Sequence, residues 1–171
     1  EAHQAWLFEP YSDGHEGEVK PVFPIEEMRE IVSAADGLGL QMNMVTIGDR
    51  AVHEGLNAYE LAARQNPEWL RRHTLEHAEL ITDEDLGRFV TLGVTADFNP
   101  MVSYPEEGHM EHLEGLFGAE RLETRYHRWK DLMEAGAVVA AGSDYPLVPM
   151  DPFLQINVMV NGTDVFGNPP G

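Results

Sequence analysis

Short apolar runs alternate with amphipathic stretches along most of the chain, and this rhythm predicts strands and helices in turn. Residues 1–24 stand outside it. Pro10, Gly14, Gly17, Pro21 and Pro24 punctuate them, and Tyr11-Ser12-Asp13-Gly14-His15 has no apolar period, so an irregular lead-in is expected. A helix then begins, with Ile25, Met28, Ile31 or Val32, Ala35 and Leu38 at helical spacing. Pro24 pre-sets its first turn, Glu26 and Glu27 suit the positive end of its dipole, and Gly37 and Gly39 stop it. Residues 41–47 read as a short buried strand. Asp49 is placed to cap the next helix, whose stripe is Val52, Leu56, Tyr59 and Ala63 and which ends near Asn66-Pro67. Residues 74–81 read as a second strand, followed by Thr82 with Asp85 three positions on, a capping signature for a helix carrying Leu86, Phe89 and Val90 and closed by Gly93. Residues 94–98 form a third strand, 99–118 a long connection, 120–135 a helix closed by Gly136, and 137–141 a fourth strand. Residues 155–171 read as a flexible tail.

This order predicts an α/β fold, with about four parallel strands joined by right-handed helical crossovers. Four parallel strands do not close on themselves, whereas eight in about 250 residues make a TIM-type barrel. The expectation is a partial (β/α) barrel in which residues 1–171 form a single segment. A small doubly wound sheet is the rival architecture. Its Gly-rich phosphate loop is missing, because Ile47-Gly48-Asp49-Arg50 after the first strand carries one glycine.

Composition narrows the partners. A formal charge of −19, from 30 acidic and 11 basic residues, repels phosphate backbones and anionic lipid, so neither nucleic acid nor a membrane is expected as a partner. With 43% hydrophobic and 24% charged residues the chain reads as a globular domain. No apolar run approaches the ~20 residues needed to span a bilayer, and the first residues lack the features of a signal peptide, which favours a cytoplasmic location. Cysteine is absent, so any metal must be held by imidazole and carboxylate groups.

Two residues stand where strands break into loops. His77 follows Leu75 and Glu76 in the second strand, and Asp144 follows the apolar run 137–141 in Gly142-Ser143-Asp144-Tyr145-Pro146. In a barrel the carboxyl ends of the strands converge on one face, so these side chains can share a site despite their separation in sequence. Imidazole and carboxylate suit Zn²⁺ and similar divalent ions, and a carboxylate can also take a proton from an attacking water. Two donors fall short of the about three that a catalytic zinc takes from its protein.

The strings Ile47-Gly48-Asp49-Arg50-Ala51, Arg72-His73-Thr74-Leu75-Glu76-His77-Ala78, Asn99-Pro100, and Ala141-Gly142-Ser143-Asp144-Tyr145-Pro146 with Asp151-Pro152-Phe153 resemble, in order and spacing, the amidohydrolase superfamily. The branch is the one called amidohydrolase family 3. The resemblance runs from Trp6-Leu7-Phe8 to the last strand and identifies the segment with the carboxyl-terminal half of that family's barrel. It implies metal-dependent hydrolysis of an amide-like C–N bond in a small molecule. His77 matches the family's sixth-strand histidine, a metal ligand. Asp144 matches its eighth-strand aspartate, both a ligand and the general base that passes a proton to the leaving amine. The family has His-Ala before Ile-Gly-Asp, where this chain has Val45-Thr46, so the fifth-strand ligand is missing. The first-strand histidines and the fourth-strand ligand have no counterpart here. A divalent metal, zinc by expectation, is therefore implied by the family but weakly provided for by this chain.

The long connection contains Glu106, Glu107, His109, Glu111 and His112 and reads as a lid over the substrate, with His73 and Asn99 as further substrate-lining candidates beside His109 and His112. His53 reads as part of a solvated helix face, Asp49 as a helix cap, and Trp6, Phe8 and Tyr11 as core. Two functions of different class follow. One is an amidohydrolase segment, a fragment of a longer enzyme or a degenerate relative. The other is a noncatalytic half-barrel that binds a partner. Under either, the uncovered edges predict a homo-oligomer or association with the remainder of a barrel.

Overall fold

A computed structural model of the chain describes residues 3–15, 19–102 and 108–163. The elements run α1 (Ile25–Gly37), β1 (Asn43–Thr46), α2 (Asp49–Gln65), β2 (Thr74–His77), α3 (Asp83–Leu92), β3 (Thr95–Phe98), α4 (His109–Phe117), α5 (Ala119–Arg125), α6 (Trp129–Ala135), β4 (Val139–Ala141) and α7 (Pro152–Asn161). All four strands are parallel and lie side by side in chain order, β1-β2-β3-β4. A doubly wound sheet reverses its strand order at a switch point. The unreversed order here is that of one arc of a (β/α) barrel. No helix among the described residues is long and apolar enough to cross a membrane.

The two sheet faces differ. Met44, Leu75, Ala96, Phe98 and Val139 turn toward the helices and meet Val32, Val52, Leu56, Tyr59, Phe89 and Leu132 in the main core. The other face carries the register row Val45, Glu76, Asp97 and Ala140. In a closed barrel this row would point inward. Here Val45 is 63% exposed, which is the signature of an inner layer without its opposite wall. Close approach of α2 to the sheet depends on Gly55, because a Cβ there would lie 2.8 Å from Leu75 Cδ2.

Most helix signals act as expected. Thr82 Oγ1 accepts from the Asp85 N–H at 3.2 Å, and Gly93, at φ 64°, closes α3. Four expectations are corrected. The N-cap of α2 is Gly48, not Asp49, since φ is 103° there and a Cβ would come within 2.3 Å of the Trp6 carbonyl oxygen. The helix expected over 120–135 is two helices. Between them the backbone turns aside to pair with the segment after β2: Ile81 N–H donates to Arg125 O and His127 N–H to Glu79 O, each at 2.8 Å. The second half of the long connection is helical, as α4. The expected tail begins inside α7, which Asp151 caps through Phe153 N–H at 2.9 Å; residues 164–171 lie outside the described residues.

At the amino ends of the strands a buried carboxylate gathers several elements. Asp36, near the end of α1, accepts from Asn66 Nδ2 (2.9 Å), Trp69 Nε1 (3.0 Å), Arg71 Nε (2.7 Å) and Arg71 Nη2 (3.0 Å), and also bonds His73 Nε2 (3.0 Å). The other nitrogen of His73 accepts from the Met42 N–H at 3.1 Å, just before β1. Burial alone would raise the Asp36 pKa, but the bonds from Arg71, Asn66 and His73 outweigh it and hold the value at about 2.

The folded-state pKa is thus depressed from the ordinary 3.8, so the stabilisation is complete above that value and is lost as pH falls toward and below 2. A shift of this size contributes about 2 kcal/mol. Urea unfolding at neutral and acid pH should show that increment in the native chain and lack it in Asp36→Asn, which is itself destabilised by about 3 kcal/mol because Arg71 loses its partner. The same acid dependence in both chains would show that Asp36 does not carry it.

Candidate active site at the carboxyl ends of the strands

Parallel strands in register bring their last residues to one level. Thr46 stands opposite His77, and Phe98 opposite Ala141. The chain leaves β2 through two left-handed residues, His77 at φ 69° and Ala78 at φ 45°, and Asp144 after β4 is a third, at φ 49°. Such backbone costs about 1 kcal/mol or more per non-glycine residue and concentrates at functional sites. Gly142 N–H donates to Phe98 O at 2.8 Å, tying the loop that carries Asp144 to the end of β3.

His77 and Asp144 are brought together as the sequence suggested. Nε2 of His77 lies 3.7 Å from Asp144 Oδ2, and its Nδ1 lies 3.1 Å from Glu79 Oε1. The bond to Glu79 raises the His77 pKa against the opposing effect of burial, with the charges of Glu79, Asp144 and Glu76 adding to the rise. Below this level, burial and then the neighbouring charge of Glu76 push the Asp97 carboxyl above its ordinary range, with His77 pulling the other way. Asp97 Oδ1 is buried with no hydrogen-bond partner. Glu79 and Asp97 are additions to the site that sequence reasoning passed over. An acid two positions past His77, and another in the apolar run Ala96-Asp97-Phe98, were the available signals.

The other candidates divide. His109 and His112 stand one turn apart on α4 and line a cavity of ≈ 170 Å³ with His77, Glu79, Tyr126 and the apolar Val102, Leu113 and Leu116. Asn99 is 1% exposed, with its side-chain amide beside Gly142 in the loop that carries Asp144. His73 is not at this site. It lies before β2 at the opposite end of the sheet, buried against Asp36 and stacked on Tyr59 with ring centroids 4.5 Å apart. His53 is paired with Asp85, Nδ1 to Oδ1 at 3.0 Å, and is not freely solvated. Glu106 and Glu107 lie outside the described residues.

A strap covers the mouth. Trp6 N–H donates to Ile47 O and Ser12 N–H to Leu116 O, each at 2.8 Å, so the first segment crosses from β1 to α4. Trp6 and Tyr11 are buried as expected, but Phe8 is 45% exposed and meets the edge of His53. Asp49 is the anchor: its carboxylate accepts from Phe8 N–H at 3.1 Å and from Arg50 N–H at 2.8 Å, and pairs with Arg125. Beneath α4, His127 stacks on Tyr126, and burial, reinforced by the charge of His109, lowers its pKa to about 3.

Among the described residues no group of three or more His, Asp or Glu side chains is arranged to hold a metal. Val45, in the inner row beside Glu76, adds only hydrocarbon. His77 and Asp144 are two donors where a catalytic zinc takes about three, so these residues alone do not make a complete metal site.

The fold and the site define a partial (β/α) barrel of the hydrolase type, with polar residues grouped at the strand ends. The sequence profile described as "Amidohydrolase family" matches residues 1–169, and the chain belongs to that family. It is 30% identical over 157 residues to YtcJ of Bacillus subtilis (strain 168), covering 91% of this chain and 28% of that protein. It is 28% identical over 159 residues to Protein LONG AFTER FAR-RED 3 of Arabidopsis thaliana, covering 93% of this chain and 27% of that one. A crystal structure of a metal-dependent hydrolase from Pyrococcus furiosus superposes with a TM-score of 0.76 at 28% identity, over 92% of this chain and 31% of the other. One from Pyrococcus horikoshii OT3 gives 0.73 at 31% identity, over 92% and 30%. The chain thus spans under a third of the length of these relatives.

Removing the anchor should free the strap. Asp49→Ala is expected to destabilise the chain by about 3 kcal/mol, since Arg125 loses a buried partner. Hydrogen exchange should accelerate over residues 5–12 ahead of the sheet, and uniform acceleration throughout the chain would refute a local anchor.

Proposed function

We propose that this chain contributes His77 and Asp144 to the hydrolysis of an amide-like C–N bond in a small molecule, as the carboxyl-terminal half of an amidohydrolase barrel. The observation that carries the reading is the convergence of these two residues, 3.7 Å apart, from the ends of separate parallel strands. In this reading Asp144 takes a proton from the attacking water as its oxygen bonds to the carbonyl carbon. It delivers the proton to nitrogen as the C–N bond breaks, so the carboxylate is regenerated. Glu79 holds the His77 ring from its far side. The lining of α4, two histidines with Leu113 and Leu116, fits a substrate that presents both polar and apolar groups. The divalent metal of the family, zinc by expectation, needs donors beyond these two.

A second reading rests on Val45. A hydrocarbon where the family places a ligand fits a half-barrel that binds without catalysing. Zinc titration separates the two. The native chain should bind Zn²⁺ weakly and without fixed stoichiometry, whereas Val45→His should raise its affinity at least tenfold, with the gain cancelled by His77→Ala. Hydrolysis of simple N-acyl amides by the Val45→His chain should fall about a hundredfold or more on adding Asp144→Asn, the scale of a lost general base. Unchanged zinc affinity in Val45→His, or a hydrolytic rate indifferent to Asp144→Asn, would overturn the catalytic reading.

A further inference from the structure

The cavity of ≈ 170 Å³ beside His77 is lined from within the arc, by the strap, by α4 and by the segment after β2. Bonds inside the chain hold these walls apart. Tyr11 Oη donates to Ala5 O and Ser12 N–H to Leu116 O, each at 2.8 Å, and the backbone bridge of Leu80 with Tyr126 fixes the opposite side. A pocket braced in this way binds without first being ordered. Leu113, Leu116 and Phe117 give it hydrocarbon. Four of the chain's eight histidines, His3, His77, His109 and His112, also line it. Of the 30 acidic residues, Glu79 alone does so among those described, and its Oε1 is bonded to His77 Nδ1 at 3.1 Å. In a chain this acidic, the cavity is a place of imidazole and hydrocarbon.

We infer that this cavity receives the side group of the substrate, a single six-membered ring or a branched chain of that size, carrying a hydrogen-bond acceptor such as a carboxylate. The inference rests on the hydrolytic reading above and extends it to specificity. Volume sets the size, since an apolar cavity of about 150 Å³ holds one benzene and a fused pair of rings exceeds it. The lining sets the chemistry. Hydrocarbon takes the body of the group, imidazole N–H donors meet the acceptor, and the one carboxylate is already engaged, so a cation gains little. His77 belongs both to this lining and to the pair with Asp144, so a side group seated here brings the adjoining amide to the strand ends. On α4, the half-buried Leu113 limits the size of the group and the exposed His112 meets its polar end at the rim.

The test is titration of the native chain with benzoate, 2-naphthoate and benzylammonium, followed through its leucine methyl and histidine ring NMR signals, with salt added to screen the net charge. Benzoate should bind and shift the signals of Leu113 and His112, with 2-naphthoate and benzylammonium each about tenfold weaker. Leu113→Ala should admit 2-naphthoate, a gain that misfolding cannot produce. Leu113→Trp should abolish benzoate binding while the circular dichroism stays native, and His112→Leu should weaken it about tenfold. Equal affinity of the native chain for benzoate and 2-naphthoate, or shifts confined to residues outside the cavity, would overturn the proposal. Its failure is separable from that of the hydrolytic reading. Benzoate binding in the expected order, with no hydrolysis by the Val45→His chain, supports the cavity and counts against the chemistry alone. Hydrolysis of N-acyl amides by that chain with a size preference that ignores both Leu113 substitutions would overturn the specificity and leave the chemistry standing.

Discussion

The buried carboxylate of Asp36 sets the geometry on which the site depends. It receives hydrogen bonds from the α2–β2 connection and, through His73, reaches the backbone just before β1. The amino ends of β1 and β2 are therefore locked to α1 and to each other. The buried Tyr59 hydroxyl adds to the lock, lying within hydrogen-bond distance of Met42 O at 3.2 Å and Thr74 O at 2.8 Å. Fixing the lower ends places Thr46 opposite His77 at the upper ends. A charge buried this deeply is tolerated because every neighbour donates to it, and the same completeness makes it unforgiving of change.

Asp49 does a comparable job at the upper end, where it joins the strap at Phe8 to Arg125 on α5. The backbone between α5 and α6 then pairs with residues 79–81, the segment that follows the left-handed turn at His77 and Ala78. Unfavourable dihedrals persist where the surroundings over-determine them. This turn is held by β2 on one side and by the 125–127 backbone on the other. The break in the expected long helix and the orientation of His77 are thus two views of one contact.

That contact explains much of what the sequence could and could not reveal. Local signals were legible: the apolar runs became strands, Thr82 and Gly93 bounded α3, and His77 and Asp144 stood out as polar residues at strand ends. Helical periodicity over residues 120–135 was real, but it could not register that Arg125 and His127 have backbone partners over forty positions earlier. His73 was misplaced for a geometric reason. It stands four positions before His77, about 13 Å along a strand, which is the distance from one end of this sheet to the other. Whether a histidine lies before or at the end of a strand was a matter of boundaries, the least certain part of such a reading. Asp36 was hidden because its partners, Asn66, Trp69, Arg71 and His73, lie thirty or more positions away in the α2–β2 connection.

The inner face carries the remaining tension. Glu76 and Asp97 are adjacent in register, with hydrocarbon at Val45 and Ala140 on either side, so like charges crowd at the centre of the row. Burial, and after it the charge of Glu76, raises the pKa of Asp97, and its Oδ1 finds no hydrogen-bond partner among the described residues. Folding of this arc alone gains nothing from a buried acceptor without a donor. An arrangement of this kind becomes favourable when a further group with hydrogen or positive charge to share reaches the row, and the open side of the sheet is where such a group could arrive. The uncovered face and the two-donor site at its rim are therefore one incompleteness. Both are resolved by whatever supplies the opposite wall of the barrel.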